Sequence, residues 1–231
     1  MSFNGLDNEI ARLILLQRIE LASPFISKIR KFFGRYLFTN FFTKFFLSKN
    51  EINLKYYELM GTEYKSLKRF INFEDKKLLS IGSGMAGLEL IIDSLHKNNQ
   101  FSIIEKNYVS KKVKYGWDDK NLEGYNNLNI LREFLKRNQT NAHFRIYDFD
   151  KDDLPDYNFD IVLSLYSLDY HYDFNVYKEY LKKISSDQTQ IVFDTVRPDY
   201  FNNIFDEVKI ITTIEKKIHS SKRIICRGFI K

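Results

Sequence analysis

The chain has 231 residues, a mass of 27.7 kDa and a formal net charge of +6 at pH 7, and 44% of its residues are hydrophobic. This length suits one large domain, or one domain with a small cap. The three prolines and the single cysteine exclude long proline-rich linkers, an intrachain disulfide framework and a cysteine zinc cluster. The sequence has no signal-peptide pattern and no apolar run of about 18 residues, so we expect a cytoplasmic protein.

The segment 1–72 is predicted to be helical. Asp7 is a suitable N-cap for a first helix that ends before Pro24. The apolar positions of this helix follow at helical spacing and are Ile10, Leu13, Ile14 and Leu21. A further helix is predicted over 51–72, and it leads directly into the first strand.

Between these two helices, the segment 28–46 interleaves phenylalanines with lysines and arginines. Aromatic stripes at helical spacing usually belong to a core, so a cap helix that buries its phenylalanines on the main domain is the favoured interpretation. A peripheral membrane contact comes second, and a platform for single-stranded nucleic acid comes third. The positive charge of the chain does not decide this, because it accompanies many Lys, Asn, Ile, Phe and Tyr residues, the set that AT-rich coding favours.

The stretch 77–105 carries the strongest motif in the chain. The apolar run Lys77–Ile81 predicts a strand, and the sequence Gly-Ser-Gly-Met-Ala-Gly that follows predicts a tight turn and then a helix. A second strand is predicted over Phe101–Glu105. Glu105 follows Gly87 at the spacing where a carboxylate can accept hydrogen bonds from both ribose hydroxyls of a bound nucleoside. We therefore expect a nucleotide-binding α/β sheet.

The rest of the chain alternates predicted strands with helices or loops. In chain order these are a helix over 125–138, a strand over 143–147 that ends at Asp148, an acidic loop over 148–160, a strand over 159–165, an aromatic segment over 166–172, a helix capped by Asp173, and strands over 191–193, 208–214 and 223–229. The last connection is too short for a parallel crossover, so the final pair is predicted to be antiparallel.

This order predicts an α/β fold: a Rossmann-like, seven-stranded, mostly parallel sheet with one antiparallel strand, helices on both faces and an N-terminal helical cap. The boundary is placed between residues 1–72, which form the cap, and residues 73–231, which form the nucleotide-binding domain.

Residues 77–231 resemble the whole catalytic domain of the class I S-adenosylmethionine (SAM)-dependent methyltransferases. The resemblance rests on the glycine turn in 78–87, Glu105, Asp148 and the strand 159–165. It implies that SAM is the cofactor and that its binding residues are Ser80, Gly82, Ser83, Gly84, Gly87, Glu105, Asp148, Phe149 and Ser164. The sequence departs from the family at Ser80, where an acid is usual near the methionine end of SAM, and at 187–189, where a glycine is usual.

A second resemblance, to bacterial small-molecule and sugar O-methyltransferases, rests on the short aromatic motifs 115–117, 125–126 and 168–172. It implies a hydroxyl acceptor and the substrate-binding residues Trp117, Tyr166, Tyr170 and Arg197. Methyl transfer to such a hydroxyl benefits from a general base. His171 is the first candidate, because histidine ordinarily titrates near neutral pH. Asp169 is predicted either to orient His171 or to act as the base.

Several alternatives stay open. Asp169 and Asp194 end neighbouring strands and are a minority candidate site for Mg²⁺. Arg197 is expected to pair either with an anionic group of the substrate or with an aspartate of the chain. An NAD(P)-dependent oxidoreductase also uses such a glycine turn, and a nucleic-acid methyltransferase or a noncatalytic binding protein would keep the same fold. A small-molecule partner is favoured over nucleic acid, and self-association is left open.

Overall fold

The computed structural model describes residues 2–22, 48–110, 123–214 and 220–230. The segment 28–46 and Trp117 lie outside these ranges, so the predictions made for them stay predictions. In the described ranges, no helix is both long enough and apolar enough to cross a membrane.

The elements alternate along the chain much as the sequence predicts. The α-helices are α1 (Asn8–Gln17), α2 (Lys49–Leu67), α3 (Gly87–Leu95), α4 (Leu128–Asn138) and α5 (Lys178–Ile184). The strands are β1 (Lys77–Ile81), β2 (Gln100–Glu105), β3 (His143–Asp148), β4 (Ile161–Ser164), β5 (Gln190–Thr195), β6 (Phe205–Ile214) and β7 (Ser221–Phe229). Short 3₁₀ helices cover Ile19–Leu21, Phe174–Val176 and Pro198–Asn203.

The strands form one sheet in the order β3-β2-β1-β4-β5-β7-β6. Strands β1 to β5 are mutually parallel, and β7 runs antiparallel to both β5 and β6. This confirms the predicted seven-stranded sheet with one reversed strand. The strand order turns back between β1 and β4, so the carboxyl ends of these two strands border a crevice in which α/β proteins bind their ligands.

The two faces of the sheet are covered by different helices. On β1, Leu78 belongs to a core cluster with residues of α1, α2, α3 and α4, whereas Leu79 belongs to a second cluster with residues of α5. Neighbouring residues of a strand point to opposite faces, so β1 is buried on both sides.

The N-terminal residues share the first of these clusters with the sheet. Asp7 caps α1 as predicted and accepts hydrogen bonds of 2.9 Å from the backbone amides of Glu9 and Ile10. Leu13 on α1 is fully buried and lies in the same cluster as Leu78 on β1. The helices that precede the glycine turn therefore pack directly on the sheet.

Candidate active site

A cavity of about 290 Å³ opens at the carboxyl ends of β1, β2 and β4. Its walls come from the glycine turn after β1, the end of β2, the loop after β4 and the residues where α1 ends and α2 faces the sheet. Among the residues predicted to bind cofactor or substrate, seven line this cavity: Ser80, Gly82, Ser83, Gly84, Glu105, Tyr166 and Tyr170. The predicted base His171 also lines it.

The glycine turn requires glycine at two positions. Gly82 and Gly84 have φ angles of +69° and +64°, a region that residues with a Cβ rarely adopt. A Cβ on Gly82 would also collide with the Ser167 hydroxyl, and one on Gly84 would lie 2.5 Å from Oε1 of Gln17. The turn is therefore closely packed between the loop after β4 and the end of α1.

Glu105 links the end of β2 to this turn. Its Oε1 accepts a hydrogen bond of 2.5 Å from the backbone amide of Gly84. Burial raises the pKa of the Glu105 carboxyl to about 7, although the amide of Gly84 counteracts part of this effect. Asn126 closes the same region and donates to the carbonyl of Gly84 at 2.7 Å. Glu105 thus lies beside the turn, as the motif predicts.

The inner wall of the cavity carries a second group of charges. Nη2 of Arg18 donates to both carboxylate oxygens of Glu63 at 2.9 Å. On α3, Glu89 accepts a hydrogen bond from the Ser80 hydroxyl. The Tyr56 hydroxyl accepts from the backbone amide of Gly87 at 3.1 Å, so Gly87 holds α2 against α3 instead of lining the cavity.

Sequence reasoning missed Arg18 and Glu89 in this group. Arg18 is the C-cap residue of α1 and lies far before Gly82 in the chain, so no local pattern connects the two. Glu89, in contrast, could have been identified from the sequence pattern of α3. It lies three residues before the buried Ile92 and therefore on the same face of α3, where an acid interrupts an otherwise apolar pattern.

The loop after β4 contributes aromatic side chains at the cavity mouth. Tyr166 has a φ angle of +57°, which costs free energy in a residue with a side chain. Its amide donates to Oδ2 of Asp194 at 3.1 Å. The Tyr166 ring lies 4.6 Å from the guanidinium carbon of Arg18 and packs edge-on against Tyr170 at 5.5 Å. Burial raises the pKa of the Tyr166 hydroxyl to about 12, so the ring is a neutral wall.

His171 and Asp169 occupy different environments. The His171 side chain is exposed at the mouth, with its ring perpendicular to that of Tyr170 at 5.3 Å. Asp169 is fully buried and does not line the cavity. Its carboxylate accepts hydrogen bonds from Thr195 Oγ1 at 2.5 Å and from Arg197 Nη2 at 2.6 Å. This position does not suit the predicted role of Asp169 as a base that contacts the acceptor.

Arg197 likewise lies outside the cavity lining. It pairs with Asp169 and, at 3.2 Å, with Asp173, and its guanidinium stacks on the ring of Tyr200. The second of the two predicted roles therefore applies: Arg197 pairs with aspartates of the chain itself, and these contacts occupy the group that was expected to bind a substrate anion.

The two carboxylates considered for Mg²⁺ are each paired with an arginine. Asp194 accepts hydrogen bonds from Arg223 at 2.8 and 3.0 Å, and Asp169 is held by Arg197. A guanidinium on each carboxylate opposes the approach of a second cation. Within the part of the chain that the structure describes, no group of three or more His, Cys, Asp or Glu side chains is placed to hold a metal ion.

The remaining predicted cofactor residues lie outside the cavity lining. The Ser164 hydroxyl donates to the carbonyl of Ile81 at 2.8 Å and so joins β4 to β1. Asp148 is buried at the end of β3, next to Glu105 in the strand register, and accepts from the amide of Asp150 at 3.2 Å. The Phe149 ring packs on that of Tyr177, whose side chain does reach the cavity.

No protein-family model and no curated protein matches the sequence. Several solved structures are similar to it at low sequence identity. The precorrin-6y C5,15-methyltransferase of Geobacter metallireducens is 16% identical and has a TM-score of 0.46, with 74% of this chain and 88% of that chain covered. The ribosomal protein L11 methylase of Lactobacillus delbrueckii subsp. bulgaricus is 10% identical and has a TM-score of 0.46, with 76% of this chain and 78% of that chain covered. A TehB-like SAM-dependent methyltransferase of Corynebacterium glutamicum is 9% identical and has a TM-score of 0.46, with 76% of this chain and 95% of that chain covered.

Proposed function

We propose that this chain is a SAM-dependent methyltransferase that methylates a hydroxyl group of a small molecule, such as a sugar or a related metabolite. The observation that supports the cofactor assignment most directly is the contact between Glu105 at the end of β2 and Gly84 after β1, beside the point where the strand order turns back. A nucleoside bound at the carboxyl ends of these strands presents its ribose hydroxyls to such a carboxylate.

The residues around the cavity fit the parts of SAM. Glu105 would hold the ribose, and the turn between Gly82 and Gly84 lets the backbone approach the ligand closely. Apolar side chains of Ile104, Leu163 and Leu165 provide a surface that excludes water. When bound, SAM supplies a methyl group that its positively charged sulfur activates for transfer.

The chain itself would then position the acceptor and remove its proton. We propose that Tyr166 and Tyr170 frame the acceptor at the mouth of the cavity. His171 lies beside them and would take the proton from the acceptor hydroxyl as the new bond to carbon forms. In this proposal Asp169 and Arg197 act indirectly, because their ion pair holds the loop that carries the two tyrosines and His171.

We also propose that the acceptor is a free small molecule in the cytoplasm and not a nucleic acid. The charge of the cavity supports this, because acids outnumber lysines and arginines among the described residues of its wall. The acids are Glu20, Glu63, Glu89, Glu105 and Glu123, and the lysine and arginine are Lys106 and Arg18. Such a wall repels a phosphate backbone. The segment 28–46 remains a proposed site of peripheral membrane contact.

Calorimetry on the purified chain tests the cofactor assignment. We expect SAM and S-adenosylhomocysteine to bind with micromolar affinity, about −8 kcal/mol, and NADH not to bind. The Glu105→Ala variant should bind both sulfur ligands at least about 100-fold more weakly, since it loses charge-assisted hydrogen bonds to the ribose. Glu207→Ala, which removes an exposed acid on β6, is the control and should bind normally. Binding of NADH alone would overturn the proposal in favour of an oxidoreductase.

A further inference from the structure

Glu89 is a buried acid whose hydrogen bonds within the chain are incomplete. Its side chain lies on α3, is only 3% exposed and lines the cavity. Oε1 accepts from the Ser80 hydroxyl, whereas Oε2 has no hydrogen-bond partner among the described residues. A buried carboxylate oxygen without a donor costs free energy. Groups of this kind concentrate at sites where a ligand provides the missing donor.

The neighbouring charges do not supply that donor. Arg18 donates to both oxygens of Glu63 and stacks on Tyr166, so its guanidinium is engaged beside Glu89 without a hydrogen bond to it. Among the described residues, the titratable and charged groups that face Glu89 are Glu63 and Tyr56 from α2, Arg18 from the end of α1 and Glu105 from β2. Arg18 is balanced by Glu63, so a ligand that enters here meets the uncompensated charge of Glu89.

We infer that the inner end of the cavity is a subsite for a primary ammonium group, with Oε2 of Glu89 as its acceptor. An ammonium group brings three donors, no acceptor and a positive charge, which matches a partnerless oxygen in an acid-lined cavity. The inference rests on the proposed function, because the amino-acid end of SAM and of S-adenosylhomocysteine carries such a group. It adds that recognition of this end depends on an acid of α3.

Binding of an ammonium group at this subsite depends on the protonation state of Glu89. Burial raises the pKa of the Glu89 carboxyl to about 7, and the hydrogen bond from Ser80 counteracts only part of this effect. The ammonium group binds the ionised carboxylate, so affinity should fall as the pH falls through 7 and Glu89 takes up a proton. Glu105 has a similar pKa and lies in the same cavity. A ligand without the ammonium group is therefore needed to separate the two acids.

The experiment compares S-adenosylhomocysteine with 5′-methylthioadenosine, which has the same adenosine and thioether but lacks the amino-acid end. The affinities of both are measured by calorimetry from pH 6 to pH 8 for the wild type, Glu89→Gln and Glu207→Gln. Glu89→Gln keeps the shape of the side chain and its acceptor for Ser80. At pH 8 we expect it to bind S-adenosylhomocysteine about 10-fold or more weakly, and 5′-methylthioadenosine within about twofold of the wild type. Glu207→Gln removes the same charge from the exposed surface and should behave as the wild type.

A second variant tests the same subsite in case Glu89→Gln does not fold. Ser80→Ala keeps the carboxylate but removes its hydrogen-bond donor, so the pH midpoint for binding S-adenosylhomocysteine should move upward while that for 5′-methylthioadenosine stays. If the wild type binds both ligands and Glu89→Gln weakens them equally, or weakens neither, the ammonium subsite is wrong and the methyltransferase proposal stands. If the wild type binds neither ligand, the proposed function fails and the subsite fails with it.

Discussion

Glu89 and Glu105 reach the cavity from different elements, α3 and β2, yet burial raises the pKa of both carboxyl groups to about 7. In water a glutamate titrates near pH 4.3. Both acids therefore hold part of their protons at neutral pH in the folded chain and release them in the unfolded chain. Positive charge in the cavity would favour the ionised form of each.

The titration of Glu89 predicts a pH-dependent loss of stability. Between about pH 4.3 and 7 the folded protein keeps a proton that the unfolded chain releases, so the contribution of Glu89 to folding falls as the pH rises through this range. The free energy of unfolding of Glu89→Gln, minus that of the wild type, should increase by up to about 3 kcal/mol from pH 5 to pH 8. Urea titrations at both pH values measure this difference. Glu105 is present in both proteins, so its titration cancels apart from the part that the charge of Glu89 imposes on it. A constant difference would contradict the assignment.

His171 gives a prediction about turnover. Once a hydroxyl acceptor supports turnover by the wild type, His171→Ala should lower kcat by about 100-fold or more, because it removes the general base. The affinity for S-adenosylhomocysteine should stay unchanged, since the exposed ring lies at the mouth of the cavity. Full activity in this variant would exclude His171 as the base.

The sequence predicted the local motifs of the site but not its long-range pairs. Glu105 and the glycine turn were predictable because strand, turn and helix follow one another within the single stretch 77–105. The pair of Arg18 with Glu63, and that of Asp169 with Arg197, join residues that are 45 and 28 positions apart. Periodicity predicts which face of an element is buried, but it does not identify the partner of a charge on that face. For this reason Arg197 was considered for a substrate anion although it pairs with Asp169.

At the scale of elements, the bounds of β1, β5 and α4 show where the sequence pattern locates an element correctly and where it does not. Strand β1 has the predicted bounds, whereas β5 extends beyond the predicted 191–193 to Thr195, because Asp194 and Thr195 continue its pairing with β7. Helix α4 begins at Leu128 and not at 125, because the Asn127 side chain caps it by accepting from the amides of Asn129 and Ile130.

The turn between β1 and α3 can be tested with two glycines in different settings. Gly82→Ala should destabilise the fold by at least about 1–2 kcal/mol and weaken binding of S-adenosylhomocysteine, because φ is positive and the new methyl collides with Ser167. Gly61 lies inside α2 with open space around it. Gly61→Ala should therefore stabilise the protein by about 0.5–1 kcal/mol. Thermal melting and calorimetry compare the two, and equal effects would contradict this account of the turn.

For the whole molecule, the shared core bears on the predicted boundary between residues 1–72 and 73–231. Leu13 of the first part packs in one cluster with Leu78 of the second, and Ile52 on α2 also belongs to it. A cluster that crosses the boundary couples the unfolding of the two parts.

Leu13→Ala tests this coupling. The substitution leaves a cavity in the shared core and should lower the free energy of unfolding by about 2–5 kcal/mol. We expect one cooperative transition at a lower denaturant concentration, with helix content and ligand binding lost together. Two separate transitions, with ligand binding unaffected by the first, would show instead that the cap unfolds independently. A Leu54→Ala variant is the control, because this side chain on α2 is 49% exposed.

The contacts of the first residues with α4 have a consequence for synthesis of the chain. The side chain of Asn138 exchanges hydrogen bonds with the backbone of Asn4, 134 positions earlier, and Gln17 bonds to the carbonyl of Tyr125. Ribosomes add about 5–20 residues per second, so α1 emerges on the order of ten seconds before α4, one of the elements that pack in the same core cluster, is synthesised. During that interval part of the apolar face of α1 is exposed on the nascent chain. We expect chaperones at the ribosome exit to bind this face until the later residues are synthesised.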